Sequence, residues 1–265
     1  MKDFLREILE EKQREVAYRK RSVPLSTVLE SPSFVRQPLS LAGALRTAGF
    51  GVIAEVKKAS PSRGVIRSDF DPLLIAEQYT RGGAHALSIL TDEKFFQGKL
   101  EFIRQVQQRI SLPILRKDFI IDPYQVYESR GAGADAVLLI AAVLDRARIT
   151  ELKLLCEELR MEVLVEVHND EELNSVRDLG LSLIGVNNRD LGSFETDIRT
   201  SFRLRPLMPP DTVCISESGI KGAEDVRALR RKGFHGVLIG ELFMRQADPG
   251  RALEEMLRNA GGAAI

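Results

Sequence analysis

Eight short aliphatic runs recur along the chain: Val52–Val56, Ala86–Leu90, Ile114–Arg116, Ala136–Ile140, Val163–Val165, Leu183–Val186, Val213–Ile215 and Val237–Ile239. They are rich in Val, Ile and Leu with little polar alternation, the pattern of strands covered on both faces. Helical patterns separate them. Asp71-Pro72 and Asp122-Pro123 each set an N-cap aspartate before a proline at the first helical position. The helices that follow end in glycine, at Arg81-Gly82-Gly83 and Arg130-Gly131-Ala132-Gly133, and Leu179-Gly180 and Lys232-Gly233 repeat the junction more weakly. Helix, glycine and buried strand in repetition spell βα units around a parallel sheet.

Eight units of roughly 25 residues match a single α/β (β/α)8 TIM barrel, whose usual size is ~250 residues. An open doubly wound sheet is the alternative, but no Gly-x-Gly-x-x-Gly follows the first run. Ahead of the barrel, Phe4, Leu5, Ile8 and Leu9 sit at helical spacing in a charged segment ending near residue 21. Pro24, Pro32 and Pro38 then punctuate the chain before a helical piece at 39–48. We expect an N-terminal helical extension over 1–48 and a barrel domain over 49–265.

Composition narrows the function. Lys plus Arg and Asp plus Glu both number 38, a net charge of +0, so bulk charge does not suit a nucleic-acid binder. Cys156 and Cys214 lie far apart in apolar surroundings, and His85, His168 and His235 are scattered, so no metal-ligand spacing arises. No stretch approaches the ~20 apolar residues of a membrane span. The charged N-terminus does not read as a signal peptide. The expectation is a cytoplasmic protein without a metal cluster.

Barrel active sites sit at the C-terminal ends of the strands. There the runs give way to Glu55, Lys57 and Ser60; Thr91 to Phe96; Lys117-Asp118-Phe119; Glu166 and His168; Asn187-Asn188-Arg189; Ser216-Glu217-Ser218-Gly219; and Gly240-Glu241. Polar residues after nearly every run make one mouth of the barrel the candidate site. Lys117 and Glu166 are the acid–base candidates. Crowding by Lys57 is expected to lower the Lys117 pKa, and burial to raise that of Glu166. A structural ion network joining Lys117 to Glu55 or Glu166 is the bland alternative, and a Schiff-base lysine another. Gly219 and Gly240 allow close approach of an anion to backbone N–H groups, and Ser60 with Lys57 or Lys58 would complete a phosphate site. Residues 57–64 are small and polar enough for a lid.

The strings IAEVKKASPSRG, LSILTDEKFFQG, PILRKDFIID, LVEVHND, GVNNRDL, SESGI and LIGELFMR, in this order, resemble the indole-3-glycerol phosphate synthase family from about residue 25 onward. The resemblance implies a phosphorylated small-molecule substrate, 1-(2-carboxyphenylamino)-1-deoxyribulose 5-phosphate, converted by ring closure, decarboxylation and dehydration in tryptophan biosynthesis, chemistry that needs acid–base groups and neither metal nor organic cofactor. It implies Lys117 as general acid, Glu166 in proton transfer during dehydration, and Lys57 as holding substrate and promoting the later step. Glu55, Asn187 and Ser218 would position hydroxyls and catalytic groups, and Arg189 the substrate carboxylate. Ser60, Gly219, Gly240 and the Glu241 backbone would hold phosphate. Phe96, Phe119, Leu138 and Leu191 would wall the aromatic ring. Arg116 should point away from the pocket, and His168 is left without a role. Association with other tryptophan-pathway enzymes is a further expectation. Rival readings are a sister barrel such as phosphoribosylanthranilate isomerase, a Schiff-base aldolase, and a scaffold without chemistry.

Overall fold

The computed structural model describes residues 2–190 and 192–261. Its centre is a closed barrel of eight parallel strands. We label them β1 (Gly51–Val56), β2 (Ala86–Leu90), β3 (Ile114–Lys117), β4 (Ala136–Ile140), β5 (Glu162–Val167), β6 (Leu183–Asn187), β7 (Val213–Glu217) and β8 (Gly236–Ile239). Each pairs with its neighbours in sequence. The ring closes where β1 meets β8 in the register Val52↔Val237 and meets β2 in the register Ile53↔Ala86.

Because successive strand residues face opposite ways, each strand feeds two cores. Ile53, Leu115, Leu138, Leu164, Leu183, Ile215 and Leu238 fill the barrel interior. Val52, Val56, Leu87, Ile89, Val137, Val165 and Val186 face the outer layer of helices. The capping expected from sequence is present. Asp71 accepts from the N–H groups of Leu73 and Leu74, and Asp122 forms a capping box with Gln125. Gly83 and Gly133 adopt φ of 88° and 94°, the left-handed geometry that ends these helices.

Three α-helices, α1 (Lys2–Ser22), α2 (Leu25–Leu29) and α3 (Leu41–Thr47), and a short 3-10 turn at Pro32–Phe34 precede β1. Leu41, Ala42 and Leu45 of α3 belong to the interior core and plug the N-terminal end of the barrel. Glu162, at the start of β5, holds α3 there by accepting from Ser40 Oγ at 2.7 Å and Ala42 N at 2.9 Å. The longer α1 works at the opposite end, where Phe4, Leu5 and Ile8 help to wall the mouth. Its buried face continues through charge. Lys12, 1% exposed, contacts Asp118 at 2.8 Å and Asp92 at 3.0 Å. Arg19 reaches Glu128 at 3.1 Å. Among the described residues no helix is long and apolar enough to cross a membrane.

Candidate active site

Strand parity builds the site. In β1, Ile53 faces the interior, so Glu55 does too; the same step of two carries Leu115 to Lys117, Leu164 to Glu166, Gly185 to Asn187, and Ile215 to Glu217. Their side chains converge on a cavity of about 520 Å³ at the C-terminal mouth. Lys117 Nζ donates to Glu166 Oε2 at 3.3 Å and lies 3.9 Å from Glu217 Oε2. Lys57 Nζ pairs with Glu55 Oε2 at 2.5 Å. Asn187 lies within reach of the Glu166 carboxylate and favours its charged form. Glu55 is thus engaged by Lys57 and Glu166 by Lys117. Glu217 is the carboxyl left over, with Oε1 buried and unpartnered.

Two glycines make room for this crowd. A Cβ at 185 would fall on Glu217 Oε1, and one at 240 would fall on Glu55 Oε2. Gly240 therefore shapes the site through Glu55 as well as through its own backbone.

Burial and charge divide the protons. Burial pushes Glu217 up to about 8, and the neighbouring Glu166 and Glu55 carboxylates push the same way against the pull of Lys117. Glu166 goes the other way. Burial raises it, but Lys117, His168 and the Asn187 amide together hold it below its ordinary value. Lys117 corrects the sequence reading. Burial alone would lower it, yet Glu166, Glu217 and Glu55 outweigh burial and hold the ammonium well above its ordinary value. The expected directions for Lys117 and Glu166 are therefore both reversed. Lys57 does not crowd Lys117 because Glu55 takes it, and the group raised by burial is Glu217.

The remaining predicted residues are distributed as follows. Ser60 lines the cavity with its Oγ buried and unpartnered. It belongs to a two-rung antiparallel ladder, Ala59↔Val65 and Ser60↔Gly64, so the segment expected as a lid carries structure of its own. Ser218 and Gly219 both line the cavity in left-handed conformation, at φ of 64° and 72°. That costly geometry at Ser218 is braced by Asn188, whose Nδ2 donates to Ser216 Oγ, Glu217 O and Ser218 O. Gly240 and Glu241 also line the cavity. Arg189 does too, donating to Ser62 Oγ at 2.9 Å with its other nitrogen 3.7 Å from Glu241 Oε2. Phe96 and Phe119 face each other across 6.4 Å, and Leu138 lies in the same wall. Leu191 lies outside the described residues.

Several residues were not singled out as site residues from sequence. Glu217 was legible by parity with Ile215. Phe4 and Phe194 add to the aromatic wall, edge to face at 5.6 Å. Lys221 and Arg245 add positive charge at the rim. No local pattern marks these four, because loops and α1 bring them in from elsewhere. Arg116 points outward, as expected, to Glu128 at 2.9 Å and Asp118 at 3.0 Å.

Comparison with known proteins bears on this geometry. The sequence pattern of the indole-3-glycerol phosphate synthase family matches residues 5–256. An indole-3-glycerol phosphate synthase from Delftia acidovorans is 46% identical over 97% of this chain and 99% of its own length. One from Chlorobium luteolum is 50% identical over 90% of this chain and 92% of its own. Among solved structures, 3-hexulose-6-phosphate synthase from Salmonella typhimurium superposes with a TM-score of 0.63 at 14% identity, covering 80% of this chain and all (100%) of that one. That likeness carries the fold alone. The sequence relatives carry more, and on them the chain belongs to the indole-3-glycerol phosphate synthase family.

Proposed function

We propose that the strand-end residues divide the family reaction as follows. The substrate is an anilino-ketose phosphate bearing an ortho carboxylate. The aromatic carbon that carries the carboxylate attacks the ketone carbon, and the Lys117 ammonium gives its proton to the ketone oxygen as the new C–C bond forms. CO2 then leaves, its bonding electrons restoring the aromatic ring. The resulting alcohol departs as water after protonation, helped by Lys57, while Glu166 takes part in transferring the proton lost from the neighbouring carbon. Glu55, Asn187 and Ser218 hold the hydroxyls and the catalytic groups in register. Arg189 takes the substrate carboxylate, with Phe96, Phe119 and Leu138 against the ring. Ser60, Gly219, Gly240 and the Glu241 backbone take the phosphate, and Lys221 and Arg245 supply positive charge nearby.

One observation carries this reading: Lys117 is held charged by carboxylates at the floor of a cavity with an aromatic wall. A charged ammonium is a proton donor and a poor nucleophile, which favours acid catalysis over a Schiff base. The orphaned Ser60 Oγ, which lines the same cavity as Gly219 and Gly240, suits an anion there. The test follows indole fluorescence on the anilino-ketose phosphate in EDTA, for wild type and Lys117→Ala. Turnover that falls by 10² or more in the variant is expected, since general acid catalysis contributes roughly that much. A folded variant that keeps wild-type turnover refutes the assignment, and borohydride trapping of Lys117 would replace it with the aldolase reading.

A further inference from the structure

Decarboxylation sets a demand that the residues above leave unmet. A carboxylate leaves as neutral CO2 and its electron pair stays on the product, so each turnover consumes one proton from solvent. Two protons go onto oxygen, one for the ketone and one for the departing hydroxyl, and one returns from carbon. The deficit must reach Lys117 after it has spent its own proton, through a group that carries protons near neutral pH.

His168 is placed to do this. It follows Glu166 by two residues on the same strand end, and its ring is nearly buried. Glu172 accepts from the His168 backbone N–H at 2.8 Å and lies 3.0 Å from ring Nδ1, while Asn169 Nδ2 donates to the other Glu172 oxygen at 2.7 Å. Glu172 is therefore fixed, and it fixes the ring with Nδ1 as donor. Nε2 is buried with no hydrogen-bond partner and lies 3.4 Å from Glu166 Oε1. The other Glu166 oxygen is bound to Lys117. The three groups form a line: imidazole, carboxylate, ammonium.

We infer that His168 is a positioning residue that stores the proton consumed in each turnover and delivers it through Glu166 to Lys117. The Nε2–H bond breaks as an O–H bond forms on Glu166 Oε1. The Glu166 carboxyl then turns so that this same proton faces Lys117, its O–H bond breaks as an N–H bond forms on the neutral amine, Glu166 is left ionised, and a solvent proton recharges the imidazole when the pocket empties. The charged groups around the ring suit it to the task. Burial disfavours imidazolium and so does Lys117, but the Glu172 hydrogen bond and the Glu166 and Glu172 charges prevail and raise its pKa. Asp190, from the loop after β6, lies within electrostatic reach of the same ring. The inference rests on the role given to Glu166 above.

The test uses His168→Asn, which keeps a partner for Glu172, and His168→Gln, which keeps a donor toward Glu166 without a proton to lose. At pH 7.5 and low buffer, kcat should fall about tenfold in both with KM within twofold, and the descending limb of kcat with rising pH should lose the imidazole ionisation. Added imidazole should restore kcat of the Asn variant in proportion to its imidazolium fraction. A purely structural role would not produce that rescue. Unchanged kcat and pH profile in both variants, or a loss that imidazole does not restore, overturns the inference. Glu166→Gln separates the two levels: inactivity there beside normal His168 variants discards only the relay, whereas full activity discards the role of Glu166 itself.

Discussion

The sharpest physical test of how the N-terminal helix serves the site is Lys12→Met. The substitution keeps most of the buried stem and removes the ammonium. Lys12 Nζ lies 2.8 Å from Asp118, 3.0 Å from Asp92 and 2.7 Å from Glu15, and the side chain is 1% exposed. Asp118 would keep Arg116 at 3.0 Å and the Thr91 hydroxyl at 2.5 Å, whereas Asp92 Oδ2 would lose its cation. Breaking a buried pair by removing one partner costs about 3–5 kcal/mol. In a domain of this size that is on the order of 10 °C in Tm. The sign with pH follows from Asp118. Burial raises its pKa, but Lys12 and Arg116 with their hydrogen bonds hold it far below the ordinary carboxylate range. The stability it contributes is present above its unfolded pKa of about 4 and is lost as pH falls through the depressed folded value. The gap between wild type and variant should therefore be full at pH 7 and narrow below pH 4. Phe4, Leu5 and Ile8 wall the cavity from the same helix, so KM should rise several-fold as α1 loosens. Denaturant unfolding by circular dichroism at pH 7 and pH 3, with kinetics at pH 7, measures all three. A loss below about 1 kcal/mol with unchanged KM would refute the reasoning, because it would place this network among ion pairs that repay only their own desolvation.

Other perturbations probe the site directly. Gly240→Ala sets a Cβ on Glu55 and should displace that carboxylate from Lys57, lowering kcat by up to about 10²-fold in a folded barrel; normal kcat would show that the position of Glu55 is unimportant. Glu217→Gln tests the raised carboxyl. A group whose folded pKa lies near 8 contributes stability that is complete below its unfolded value of 4.5 and is lost as pH rises through 8. Wild type should lose Tm between pH 5 and pH 9 relative to the variant, and parallel pH–Tm curves would contradict the assignment. Asn188→Ala removes partners from Ser216, Glu217, Ser218 and Ser201, at about 3 kcal/mol or more, and should raise KM by loosening the Ser218-Gly219 turn. An unchanged KM would separate that brace from substrate binding.

The barrel was legible because burial on both faces leaves a strong mark: an aliphatic run, a glycine and a capped helix, repeated. The positions of Glu55, Lys117, Glu166 and Asn187 were legible for a related reason, since each ends an apolar run and strand parity then fixes its direction. Glu217 obeys the same parity, but its neighbours Ser218 and Gly219 read as a binding turn and mask it. The proton states were not legible. They depend on which cation faces which carboxylate, and Lys57 and Lys117 turned out to serve different partners, so the expected crowding never occurs. The buried reach of α1 was hidden by chemistry. The apolar stripe of Phe4, Leu5, Ile8 and Leu9 is interrupted and resumes only at Val16, whereas the face that packs on the barrel also runs through Lys12 and Arg19, each answered by carboxylates from strand ends and helices far away in sequence. Charge in a helix reads as solvent exposure unless its partners are known. Here those partners include Asp92 and Asp118, the latter the immediate neighbour of Lys117. The network that anchors the extension is therefore continuous with the chain that positions Lys117, the proposed acid, and disturbing it should register in kinetics as well as in stability.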